Sequence, residues 1–365
     1  MRKTQDATRQ SPAMNPATGN AAPSASDASP GSDATPTGQA DRPAFHAVLF
    51  DAVAGDRQLD ALDASVVRGL GDKQLLWVDL LDPTEEQLRA LAARLSLPAA
   101  AIEGYLGSDT NPCLDPSGNC FWLRVVSIDN GPGLRFSGTV LSMIAGPNMV
   151  ITLHHHPVAF LEEFRSTQPD HGDIGELGAA SFVSALLDWQ LGTYFEAVSR
   201  FEMGIERLEV DILSDNPRDC LAKLRAMRKS ASRLRRMLAP HRVVYTSLAR
   251  PDFRPQEDER TERHFSALDV HYERAMDMVE NARDLVVGSF ELFSSQTALT
   301  ANETMKVLTF ATVVIGVLAV LGGVLGMNFE APFFKTGAPG FYVAVGLMLV
   351  IAGVAIAIGK RRRLF

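Results

Sequence analysis

VLTFATVVIGVLAVLGGVLGMN, residues 307–328, decides the reading of this chain. Its first 19 residues, 307–325, carry no charge. A helix of that length covers roughly 28 Å, close to the ~30 Å hydrocarbon slab of a bilayer. A second run, FYVAVGLMLVIAGVAIAIG at 341–359, is again 19 residues without a charge. Buried core helices are the competing reading, but apolar runs of about 10–14 residues are more typical of them. Two spans joined by an outer loop, 326–340, are therefore expected. Lys306 opens the first span and Lys360-Arg361-Arg362-Arg363 closes the second, whereas the loop offers Lys335 alone. That asymmetry predicts both chain ends in the cytoplasm and the loop outside; the membrane expected is the inner (plasma) membrane.

Working outward, the remainder is of a different character. The 365 residues are 46% hydrophobic and 21% charged, with a mean hydropathy of +0.02, too apolar for a disordered chain and too charged for a many-span protein. A net charge of −8 argues against a nucleic-acid partner. It also hides a split, because residues 306–365 hold six basic side chains against the single acid Glu330, leaving −13 on the first 305. Cys113, Cys120 and Cys220 form no Cys-x-x-Cys pair, so neither a disulfide framework nor a zinc ribbon is expected. Residues 1–43 contain six prolines and no aromatic residue, a composition that predicts a disordered tail, and they lack the apolar core of a signal peptide.

Residues 44–178 alternate strand-like and helix-like segments. Stretches 44–52, 74–80, 121–128, 134–144 and 149–154 read as strands, and Thr84 with Gln87 three residues later reads as a capping box opening a helix that carries Leu88, Leu91, Leu95 and Leu97. A mixed α+β cytoplasmic domain is expected there. Residues 179–305 read as helix only: 182–213, then 218–238, then a third helix from about residue 261. No proline stands between Pro255 and Pro332, so that third helix can run unbroken into the first span. It would reach roughly 97 Å, a length that requires packing against other helices or other copies.

Along it, Asp277, Asp284 and Glu291 recur at intervals of seven, followed by Ser295, Asn302, Met305, Leu308 or Thr309, Thr312, Gly316, Ala319 and Gly323. Such steps keep residues on one helix face. One reading is a small-residue seam for close helix packing. The other is a pore lining whose carboxylates gather cations. Two spans cannot enclose a channel, so several copies must contribute one helix each around an axis. Gly326-Met327-Asn328 ends the first span. Around such an axis, Asn328 amides and Gly326 carbonyls form a neutral oxygen ring suited to a hydrated dication; alone, the tripeptide reads equally as a glycine-assisted helix end capped by Asn.

In combination these features resemble the CorA family of divalent-cation transporters. The resemblance rests on Gly326-Met327-Asn328 after a 19-residue span, a second span with a basic end, Asn302-Glu303-Thr304-Met305-Lys306-Val307-Leu308-Thr309, and Leu76-Trp77-Val78-Asp79-Leu80-Leu81-Asp82-Pro83-Thr84. It implies a funnel-shaped homopentamer with one axial pore. Gly326, Met327 and Asn328 would form the outer selectivity ring and hold hydrated metal. Asn302, Met305 and Leu308 would line the inner mouth and gate, Asp284 and Glu291 the funnel. The metal would be cargo, magnesium first with cobalt or nickel as passengers, and no resident cofactor is expected. Departures exist: Gly316 and Val317 stand where the family carries a bulky Met and a Pro, Ala319 replaces a usual Thr, and a Glu-Asp pair that holds regulatory magnesium in some members appears as Glu103-Gly104. Its partner acid falls at Ala267, with Asp269 two residues on. That loss resembles the ZntB branch, implying proton-coupled zinc transport as the alternative; a non-conducting scaffold or sensor is the alternative of another class.

Other motifs carry less. His154-His155-His156 reads as a polar strand end, since neighbours on a strand face opposite ways. Gly131-x-Gly133 reads as a turn, Glu202, Glu206 and Glu209 as a solvated stripe, and Arg233, Arg235 and Arg236 as a basic cluster pairing with nearby acids. No Ser/His/Asp or Cys/His arrangement has local support, so no enzyme is expected.

Overall fold

The computed structural model describes residues 44–62, 66–67, 69–166, 174–214, 219–253, 259–327 and 337–361. The tail expected at 1–43 lies outside the described residues.

Seven strands form one sheet: β1 (Ala44–Asp51), β2 (Arg57–Gln58), β3 (Gln74–Leu81), β4 (Cys113–Ser117), β5 (Cys120–Asn130), β6 (Phe136–Gly146) and β7 (Met149–His154). Their order is β2-β1-β3-β7-β6-β5-β4. Only β3 and β7 pair in parallel, Leu76 opposite Met149 through Leu81 opposite His154; the other neighbours are antiparallel. These two central strands are apolar without alternation because both faces are covered. Leu76, Val78, Leu80, Ile151 and Leu153 face α1 (Glu85–Leu95) and α2 (Ala99–Leu106). Leu75, Trp77 and Val150 face α3 (Ala159–Ser166) and the long helices.

The capping box that opens α1 is formed on both sides, Gln87 N–H donating to Thr84 Oγ1 and Thr84 N–H to Gln87 Oε1. Leu97 falls beyond this helix, which stops at Ser96 in the left-handed region. The Trp77–Asp79 segment is an internal anchor. Trp77 Nε1 donates to Thr152 Oγ1 at 3.1 Å, Thr152 donates to Asp79, and Asp79 also takes His154 Nε2 (3.1 Å) and Arg165 (3.4 Å). His154 does close β7, as expected, but is buried against a carboxylate, while His155 stacks on Tyr105. Gly131 and Gly133 (φ 68°) do form the β5–β6 turn.

Three long helices and a short one follow: α4 (Ala179–Leu213), α5 (Cys220–Leu238), the short α6 (Arg242–Leu248) and α7 (Glu259–Leu325). The buried residues of α7 are Thr261, Phe265, Leu268, Tyr272, Ala275, Val279, Ala282, Val286 and Ser289, spaced alternately four and three. Buried positions of α5, from Cys220 to Leu238, follow the same alternation. A 3.5-residue repeat keeps one seam turned to the neighbouring helix. Ser181 meets Thr261 and Glu209 accepts from Ser289, so α4 and α7 run parallel; Arg235 reaches Glu280 and Tyr272 bonds Ala239 O, so α5 runs the other way. Glu209 is therefore engaged rather than merely solvated.

The sheet is bolted to this bundle at Val126. Its N–H donates to His241 Nε2 (2.8 Å), and its carbonyl accepts from Gln190 (2.5 Å) and from Tyr194 (3.0 Å). Since Nε2 accepts, Nδ1 carries the proton and donates to Leu238 O. Burial lowers the His241 imidazole from its usual range to about 4, holding it neutral. The chain ends in α8 (Ala338–Arg361).

Candidate functional site

The 67 residues of α7 reach about 100 Å as one helix. Packing divides it. Through Ser289 its seam is covered by α4 and α5, but every residue from 297 to 306 is exposed. Beyond, residues 307, 311, 314, 318, 321 and 325 are half-buried. They lie on the side toward α8, where a methyl placed on Gly322 would stand 3.4 Å from Met348 Cε. The most apolar 18-residue windows of α7 and α8 contain no buried residue. In a water-soluble fold such a surface would be untenable; a hydrocarbon surround removes the penalty.

The structure brings the expected pore residues onto one face. Asn302, Met305, Leu308, Thr312, Gly316, Ala319, Gly323, Gly326 and Met327 are all exposed. At 3.6 residues per turn, their line through the span is centred about 150° from the side packed on α8. Gly316 and Gly323 have nothing within 4 Å of an added Cβ, unlike Gly322. The Thr312 hydroxyl donates to Leu308 O (2.8 Å), as Thr300 and Thr304 donate one turn back, so these side chains satisfy themselves on their own helix.

Farther up, Asp277, Asp284 and Glu291 are exposed two positions after the buried Ala275, Ala282 and Ser289, hence turned away from the intrachain seam. At the other end, Gly326 N–H still bonds Gly322 O (3.0 Å), and Gly326 is not among the residues with positive φ. A left-handed glycine stop is therefore not its role. The last carbonyls of a helix carry the negative end of its dipole, which favours a cation beyond them. Asn328 and Glu330 lie outside the described residues.

Residues 72–361 match the family described as "CorA-like Mg2+ transporter protein". The chain belongs to the CorA family. The cobalt/magnesium transport protein CorA of Methanocaldococcus jannaschii is 23% identical over 295 residues, covering 80% of this chain and 91% of that one. The solved CorA magnesium transporter of the same organism superposes with a TM-score of 0.67 at 20% identity, covering 86% of this chain and 97% of that one. The ZntB cytoplasmic domain of Vibrio parahaemolyticus gives 0.54 at 12% identity over 70% of this chain and 98% of that one. This CorA family member is a membrane-embedded divalent-cation transporter with two spans, an α+β domain and a long-helix stalk.

One family departure has a local cause. A Cβ at Gly104 would fall 2.4 Å from Trp122 Cη2, so no carboxylate fits there. The Gly104 carbonyl instead accepts from the buried guanidinium of Arg124, which lies over the Trp122 ring. Asp269 accepts from Thr246 Oγ1 (3.3 Å), and Ala267 offers no ligand. Trp122 and Arg124, paired across β5 with neighbouring segments, carried no sequence signal of their own. Among the described residues no group of three or more His, Cys, Asp or Glu could hold a metal.

Proposed function

We propose that identical copies surround an axis with the exposed face of α7 inward, forming a pore that passes hydrated magnesium, with cobalt and nickel as lesser cargo. The observation that carries this reading is the uncovered stripe Thr312-Gly316-Ala319-Gly323, small and turned away from α8. Asn302, Met305 and Leu308 line the cytoplasmic mouth and gate. Gly326, Met327 and Asn328 form the outer filter, neutral oxygens gripping an ion that surrenders its water reluctantly. Asp277, Asp284 and Glu291 raise the local cation concentration in the funnel. Five copies are the number that family resemblance implies, with both ends of each chain in the cytoplasm. In proteoliposomes, magnesium uptake falls at least tenfold in Asn328→Ala; uptake equal to the unaltered protein contradicts the filter.

The Trp122-filled position at Gly104 favours a second reading, zinc transport driven by protons, because the regulatory carboxylate of magnesium-gated relatives has no room there. Zinc flux that rises with an imposed pH gradient, in the same vesicles, selects it.

A further inference from the structure

The basic cluster of α5 does not behave as its sequence suggests. Arg235 pairs with Glu280 at 3.4 Å, but Lys229, Arg233 and Arg236, spaced four and three apart, turn toward the sheet and make no ion pair among the described residues. With Thr110 and Asn111 they rim a cavity of about 460 Å³. Its floor is apolar, formed by Val126, Val140 and Met237 beside Gly138. A Cβ on Gly138 would meet Val126 Cγ1 at 2.6 Å and Met237 Sδ at 3.1 Å, so the floor tolerates no side chain at that point. Among the described residues no carboxylate lines the cavity. The neighbouring Asp109 is already held by the Asn111 amide (2.8 Å) and stands 3.8 Å from Arg124.

Three unneutralised cations converging on a concavity concentrate positive potential, here within a chain of net charge −8. A dissolved anion relieves that repulsion. Lipid headgroups are out of reach, because Glu280 marks a level on α7 about 40 Å from Val307. Guanidinium and ammonium groups suit phosphate oxygens, and an apolar wall of this size accommodates a flat ring. We propose that this cavity binds a nucleoside polyphosphate, its phosphates on Lys229, Arg233 and Arg236 and its base on Val126, Val140 and Met237.

The test is equilibrium binding of radiolabelled ATP to the full-length, detergent-purified protein with EDTA present, tripolyphosphate serving as competitor. Saturable binding at one ATP per chain is expected. It weakens at least tenfold in the double variant Arg233→Ala/Arg236→Ala and recovers in part in Arg233→Lys/Arg236→Lys. It is unchanged in Arg225→Ala/Arg228→Ala, which removes two exposed cations of the same helix outside the cavity. Tripolyphosphate, lacking a base, competes at least tenfold more weakly than unlabelled ATP. Absence of saturable binding, or equal loss in the two alanine double variants, overturns the site. Equal competition by the two anions overturns the placement of the base on the floor.

Discussion

The two halves of α7 solve opposite problems. From Thr261 to Ser289 a 3.5-residue repeat of buried side chains locks the helix to α4 and α5 within one chain. From residue 297 onward the same helix is bare except where α8 lies along it. The upper half is covered within the chain; the lower half is covered only along α8 and is apolar enough to need a hydrocarbon surround. One helix thereby ties the packed α+β body to an apolar span that it leaves largely uncovered.

Breaking the upper half has the largest effect on stability. Leu268→Ala, within the covered seam, costs about 2–5 kcal/mol. Met305→Ala, in the bare half, costs less than about 0.5 kcal/mol. Thermal unfolding of the purified protein compares them, and equal losses would erase the distinction between the halves.

The joint at His241 gives the next effect. Its ring is held neutral by burial, with a pKa of about 4 against about 6.5 in the unfolded chain, so the unfolded state takes up the proton first as pH falls. The contribution is complete above pH ~6.5 and is lost progressively toward pH 4, on the order of 3 kcal/mol. Melting followed across that window should steepen for the unaltered protein relative to His241→Gln. Identical pH profiles would remove His241 from the account.

The smallest effect belongs to the exposed acids. Replacing Asp277, Asp284 and Glu291 together by their amides lowers magnesium flux about two- to fivefold at low ionic strength, and the difference shrinks at high salt because exposed charges are screened. A loss that persists undiminished in salt would mean direct coordination instead of attraction at a distance.

Much of this was legible from residue patterns. The apolar runs, the Thr84 capping box and five strands stand out because each depends on local spacing. Two strands do not. Arg57–Gln58 is too short to show alternation, and Cys113–Ser117 includes Pro116, which suits its place at the sheet edge. The one-faced stripe of α7 is visible as periodicity, but its exposure depends on which side α8 covers. Gly104 reads as a missing acid; that Trp122 occupies the space is a fact of packing between residues 18 apart. Likewise nothing local reveals that Arg235 finds Glu280 while Arg233 and Arg236 turn to the sheet.

Accessibility of the span tests the central claim most directly. In a background with Cys113, Cys120 and Cys220 replaced, single cysteines are placed at Gly316, Ala319 and Gly323, and for comparison at Val314, Leu318 and Leu321 on the side toward α8. Magnesium flux into proteoliposomes is then followed before and after a charged, water-soluble thiol reagent. Inhibition confined to the first three positions is the predicted result. Inhibition of both sets alike, or of neither, would contradict a water-filled pore along this face.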